Sequence, residues 1–181
     1  MNYRDVLLVS EDTIKTYTNI SDNIAGDYLL PAISVAQRSA LEGILGTSLV
    51  RKIQILVMDN EINYDENKHY KELLDEYITD FMCYASVSEL IPIVSFKINN
   101  VGAARTEEEK ATAVSFNEVF KLKDYYNDKA DYFALRMQRY VIANYSKFPE
   151  LSEYKTIEDI RAQLYSAAGC NIWLGGARNK K

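Results

Sequence analysis

Two long stretches of the chain repeat apolar residues at helical spacing, and the short stretch between them alternates. In Lys68–Ile91, Tyr70, Leu73, Leu74, Tyr77, Ile78, Phe81, Met82, Ala85 and Leu90 recur in the i, i+3, i+4, i+7 pattern of one helix face. Pro92 predicts the end of this helix, because the residue before a proline is driven out of the helical region. In the second stretch, Ser115-Phe116-Asn117-Glu118 has the form of a capping box, in which each side chain satisfies a helix-end N–H. Val119, Leu122, Tyr126, Ala130, Phe133, Met137, Tyr140 and Val141 continue its stripe, with no Gly or Pro before Pro149. A helix over Ser115–Lys147 is a rod of roughly 45 Å at ~1.5 Å per residue, longer than a small core requires. Between the two, Ile93–Ile98 alternates, Asn99–Gly102 has turn chemistry and Ala103–Thr106 returns, which predicts a small β-hairpin.

The preceding part of the chain follows the same logic. Val6–Val9 is an apolar run, and Ser10 caps a short helix through Tyr17, with Glu11 and Asp12 at its positive end. Asp27 is the expected cap of a helix over Tyr28–Leu45, whose inner stripe is Leu30, Ile33, Ala36, Gln37, Ala40, Leu41, Ile44 and Leu45. Gly46 stops it, and Ser48 is the expected cap of a further helix over Leu49–Met58. After Phe148-Pro149-Glu150, a short helix is expected over Ile157–Tyr165. The end of the chain is irregular: Asn171-Ile172-Trp173-Leu174 is flanked by glycines and followed by the basic Arg178, Lys180 and Lys181. An apolar tetrad in such a tail either packs back on its own domain or enters a neighbour as an added strand. The pattern predicts a mainly α fold: a helical bundle with two long antiparallel helices, a small β-hairpin or extended loop between them, and an extended C-terminal tail. The helical domain spans residues 1–150 and the C-terminal extension residues 151–181.

Composition narrows the picture without redirecting it. In 181 residues, 48% hydrophobic and 26% charged content describe a folded chain, and 7 Gly and 3 Pro leave room for few turns. A net charge of −5 argues against a protein that coats nucleic acid, which needs a basic face for phosphate. Cys83 and Cys170 lie far apart, and Cys83 falls in a buried helical stripe; a reducing compartment is expected. The start, Met1–Asp5, has no apolar signal core, and runs such as Leu90–Val94 fall short of the ~20 residues that span a bilayer, so no membrane is expected.

Each constellation with chemical promise meets a plainer reading. Asp59, Glu61, Asn63, Asp65 and Asn67 start like a calcium loop, but Tyr64 and Tyr70 stand where Gly and a bidentate Glu are required. Asp124, Asp128 and Asp131 share a helix face, interleaved with Lys121, Lys123 and Lys129 as in a solvated, salt-laced surface. His69, the only histidine, has no nucleophile fixed near it by a motif and is expected at an exposed helix start. Cys83, between Met82 and Tyr84, reads as a small core residue, and no glycine cluster matches a phosphate-binding fingerprint. Tyr125 and Tyr132 fall off the inner face and suit an interface. No catalytic, cofactor or metal residue is expected, and no enzyme activity.

The order of elements carries a resemblance. A short capped helix leads to Tyr28-Leu-Leu-Pro31-Ala-Ile-Ser-Val-Ala36-Gln37 and Leu41-Glu-Gly-Ile-Leu45-Gly46. A long helix, Phe96-Lys-Ile-Asn-Asn-Val-Gly102, a second long helix and Ala143-Asn144-Tyr145 before Phe148-Pro149-Glu150 follow. Over about residues 7–150 this resembles the head–tail connector (adaptor) proteins of tailed bacteriophages, in particular a group from phages of Bacteroides-type hosts. The resemblance implies a structural virion protein of the neck, made in the host cytoplasm, that forms a ring, commonly twelve-fold, beneath the portal protein. Such a ring extends the DNA channel without sequence-specific binding and docks the tail or further neck proteins. The interface residues expected here are Phe96, Ile98 and Val101 in the hairpin and Ile172, Trp173 and Leu174 in the tail. Rival expectations are another neck or tail-completion ring protein, and a non-enzymatic helical binding module.

Overall fold

The computed structural model describes residues 2–21, 24–99, 102–105, 115–153 and 159–164. The fold is mainly helical. The N-terminal run is not a helix or strand but a buried thread. Val6, Leu8 and Val9 are buried, and its backbone is held by side chains: Leu8 N–H donates to Gln37 Oε1, while Gln37 Nε2 and Gln54 Nε2 both donate to the Val6 carbonyl. Helix α1 (Glu11–Tyr17) follows, with Ser10 Oγ accepting from Thr13 N–H as the sequence leads one to expect.

Helix α2 (Gly26–Ala36) starts at Ala25, with no side-chain cap, so Asp27 lies inside the first turn and is not the cap. It runs on through a π-helical turn (Gln37–Leu41) into α3 (Glu42–Leu45). The stripe differs from expectation at its start: Leu29 is fully buried and Leu30 is 44% exposed. From there on it holds: Ile33, Ala36, Gln37, Leu41 and Leu45 are buried, as the spacing predicts. Helix α4 (Thr47–Met58) begins directly at Gly46, again without a side-chain cap. Ser48 is instead buried inside the first turn, its hydroxyl donating to the Glu153 carbonyl.

The central helix is assembled from α5 (Lys68–Leu73), a second π turn (Leu74–Ile78) and α6 (Thr79–Ser95). It passes through Pro92 and does not end there. A proline costs one N–H and a clash with the carbonyl four residues back; burial of Leu90 and Ile91 on the same turn offsets that local cost. Consequently Ile93–Ser95 are helical, and strand β1 (Phe96–Asn99) starts later than the alternation predicts. It pairs antiparallel with β2 (Gly102–Arg105), Phe96 opposite Arg105 and Ile98 opposite Ala103.

Helix α7 (Phe116–Ala143) carries the complete capping box between Ser115 and Glu118. It ends before Lys147, and Tyr145–Lys147 form a separate 3-10 turn. Along the α6–α7 seam the contacts match rising numbers on the first side with falling numbers on the second. Tyr77 stacks on Tyr140, Asp80 meets Arg136, Tyr84 stacks on Phe133, and Ser88 bonds Asn127. Met137, Val141 and Phe148 are fully buried, whereas Leu122, placed in the stripe by its spacing, is 50% exposed.

Residues 159–164 form no helix. They run as an extended strap across the α3–α4 junction: Thr47 N–H donates to the Ile160 carbonyl, and Gln163 N–H donates to the Ile44 carbonyl. Arg51 pairs with the buried Asp159 at 2.9 Å, and Gln138 Nε2 donates to the Gln163 carbonyl. Contacts therefore cross residue 150. Gly46 is required by this strap. Its φ of +81° is a conformation L residues avoid, and a Cβ there would lie 2.8 Å from Ala162 N.

Candidate functional site

Helix α7 buries one face and leaves an unusual amount of ring surface on the other. Its capping box and uninterrupted helix formers give it length, and packing on α6 uses Tyr126, Ala130, Phe133, Met137 and Val141. Tyr125, Tyr132, Leu135 and Ile142 then make a stripe along the outer side, with 37% to 60% of each exposed. Nearer the strands, Phe116, Phe120 and Leu122 are also at least 50% exposed. Between these rings lie charged residues: Lys129 stands over Tyr125 at 5.6 Å, and Asp124, Asp128 and Asp131 are all exposed. Tyr and Phe are enriched at protein interfaces, and interleaved Asp and Lys suit the solvated rim of one.

The interface residues expected from sequence fall less fully in view. Phe96 and Ile98 lie on β1, next in the chain to α6. Val101, Ile172, Trp173 and Leu174 lie outside the described residues. Tyr125 and Tyr132, singled out by their spacing, are exposed on α7. Phe116, Phe120, Leu122 and Leu135 are additions that only the structure supplies. Phe116 and Phe120, four residues apart and off the main stripe, carry the sequence signal that could have found the first two.

The titratable groups serve packing. Burial pushes the Cys83 thiol up to about 12, which keeps it protonated and unreactive. His69 is only part-exposed, not at an open helix start: its ring lies 4.1 Å from that of Tyr70 and 5.6 Å from that of Phe148. Burial lowers its pKa, against the pull of the Glu150 charge. Tyr70 donates to both oxygens of Glu150, at 2.8 and 2.9 Å, and burial followed by that bond holds its hydroxyl above the usual range. Arg136 bridges the seam, over the rings of both Tyr77 and Phe133 and 3.3 Å from Asp80. Burial raises the Asp80 pKa, partly offset by Arg136. Among the described residues, no group of three or more His, Cys, Asp or Glu is placed to hold a metal ion.

The stretch Asp65–Ser95 passes a length-and-composition test for a membrane span, but 56% of its apolar window is buried inside the fold. Its apolar content is accounted for by that burial.

The model of a protein family of unknown function, DUF6712, matches residues 41–160, more than half of the chain. The chain belongs to that family. The match begins at Leu41, inside the first π turn, and ends at Ile160, inside the strap that crosses Gly46. It thus takes in α4, the long central helix, the strands and α7. No curated protein and no solved structure matches the chain significantly.

Proposed function

We propose that this protein is a structural, non-enzymatic head–tail connector of a tailed bacteriophage: a ring beneath the portal that extends the DNA channel and receives the tail. The observation that carries this reading is the exposed aromatic stripe of α7, Tyr125, Tyr132 and Leu135, on a helix longer than its own core needs. A ring is built by head-to-tail contacts that close by rotation, and a long helix with one packed and one aromatic side offers such a flank. The sequence resemblance to connectors supplies the biological setting. In this reading α6 and α7 form the antiparallel scaffold, and the hairpin with Phe96, Ile98 and Val101 reaches a neighbour or the portal. The partners are further copies of the chain, the portal protein and tail or neck proteins. DNA passes through the lumen unread, and the site of action is the virion neck.

Native mass spectrometry and negative-stain imaging of the purified chain, alone and with a portal protein, test the proposal. A closed ring, commonly twelve-fold, is expected. Tyr132→Glu with Leu135→Glu should release protomers of unchanged helicity, since both side chains point outward. A chain that stays monomeric at all concentrations, portal included, overturns it.

A further inference from the structure

Two exposed helix faces of this chain carry the same outline. On α2 and the π turn after it, Asp27, Pro31, Val35 and Arg38 follow one another at steps of four, four and three, and all four are exposed. On α7, Asp128, Tyr132, Leu135 and Arg139 do so at steps of four, three and four, again all exposed. Steps of three and four keep side chains on one face of a helix. Each row opens on an acid and closes on a base eleven residues later, a span of about 16 Å at ~1.5 Å per residue. Laid side by side in opposite directions, the rows match. Asp128 meets Arg38, Tyr132 meets Val35, Leu135 meets Pro31, and Arg139 meets Asp27. Laid in the same direction, they set acid on acid and base on base, which disfavours that pairing.

The surroundings of Arg38 call for an acid. Its Nη2 donates to the Arg4 carbonyl at 3.2 Å, and Arg4, Arg38 and Arg51 together line a hollow of about 180 Å³. One carboxylate, Glu42, shares that lining. It accepts from Thr47 Oγ1 at 3.3 Å and, among the described residues, forms no ion pair with the three arginines. Arg51 is held by the buried Asp159, yet its own Nε–H is buried with no acceptor among the described residues. A guanidinium offers five N–H donors in a fixed fork, so the hollow is short of carboxylate oxygen. Helix α7 has the surplus: Asp124, Asp128 and Asp131 are exposed and form no ion pair among the described residues.

We infer that α7 of one copy lies antiparallel on α2 of the next, with Asp128 on Arg38 at the arginine hollow and Arg139 on Asp27. This arrangement rests on the proposed ring and completes it. A ring needs two different patches, one on each flank of the protomer. The aromatic stripe of α7 is one, and the row on α2 is the other. Packing α7 on α7 of a second copy would instead close a two-fold dimer and leave the arginine hollow without its acid.

Charge exchange in the full chain tests this by native mass spectrometry and sedimentation. Arg38→Glu and Asp128→Arg, both at exposed positions, should each raise the concentration needed for assembly by roughly tenfold or more at unchanged helicity. Mixing the two variants in equal amounts should restore assembly, because native contacts then alternate with contacts whose charges are exchanged. Asp27→Arg and Arg139→Asp repeat the test at the other end of the rows, and keep it sound should Arg38→Glu fail to fold. A parent chain that never assembles overturns the ring and this contact together. A parent ring that ignores the substitutions overturns the contact alone, and so does a loss that mixing does not repair. Loss on Asp128→Arg with none on Arg38→Glu overturns it as well, since that is the mark of α7 packed on α7.

Discussion

Gln37 holds the backbone of Leu8 across the fold: its Oε1 accepts the Leu8 N–H at 2.9 Å while its Nε2 donates to the Val6 carbonyl at 3.0 Å. One amide thus satisfies a donor and an acceptor of a buried thread that has no strand partner. The side chain comes from the first residue of the π turn and is 2% exposed. Gln37→Met keeps the volume and removes both bonds. The Val6 carbonyl retains Gln54 as a donor, but the Leu8 N–H loses its acceptor, at a cost of about 1–3 kcal/mol. For a chain of this size that lowers the melting temperature by roughly 3–10 °C. Calorimetry checks it, and an unchanged melt would show that the thread is not anchored there.

Gly46 couples the helix junction to the strap. At φ +81° and ψ 150° it occupies a region essentially reserved for glycine, and a Cβ would press on the backbone of Ala162. Gly46→Ala is expected to cost about 1–3 kcal/mol from backbone strain alone. The strap should also lose protection in hydrogen exchange, first at the Gln163 and Thr47 amides. A variant as stable as the parent would mean that the strap does not pack against the junction.

Acidification should weaken the fold through His69. Burial lowers its pKa in the folded state, so below the ordinary value of about 6.5 the unfolded chain takes up the proton first. More protons on the unfolded side means that stability rises with pH, and it is lost as pH falls below about 6.5. Asp80 and Glu42 shift upward through burial, so they act near the carboxylate range and with the opposite sign. Melting temperatures between pH 5 and 7 should therefore fall with acid in the parent chain and flatten in His69→Phe. An identical slope in both would remove His69 from the account.

The interface stripe shows how legibility runs out. Spacing identified Tyr125 and Tyr132 as outward residues because the stripe on α7 is regular. It misassigned Leu122 and Leu30, since an apolar residue at the edge of a stripe belongs to whichever side has a neighbour. Leu122 lies near the strand end of α7 and is left 50% exposed, a matter of where another helix lies and not of its own chain.

Local chemistry determined what local chemistry can reach. The caps at Ser10 and Ser115, the long helical stripes and the stop at Gly46 involve residues within a few positions of one another, so their physics is complete in the sequence. The tertiary structure alone decided the rest. It carried α6 through Pro92, because burial on the same turn outweighed a local penalty. It opened π turns at Gln37–Leu41 and Leu74–Ile78, and it made Gln37, a polar position in a stripe, and Gln54 on α4 into supports for a distant backbone. It also laid residues 159–164 over Gly46 as an extended strap where periodicity predicted a helix, since hydrogen bonds to Thr47 and Ile44, more than a hundred positions away, satisfy that backbone better than its own turn would.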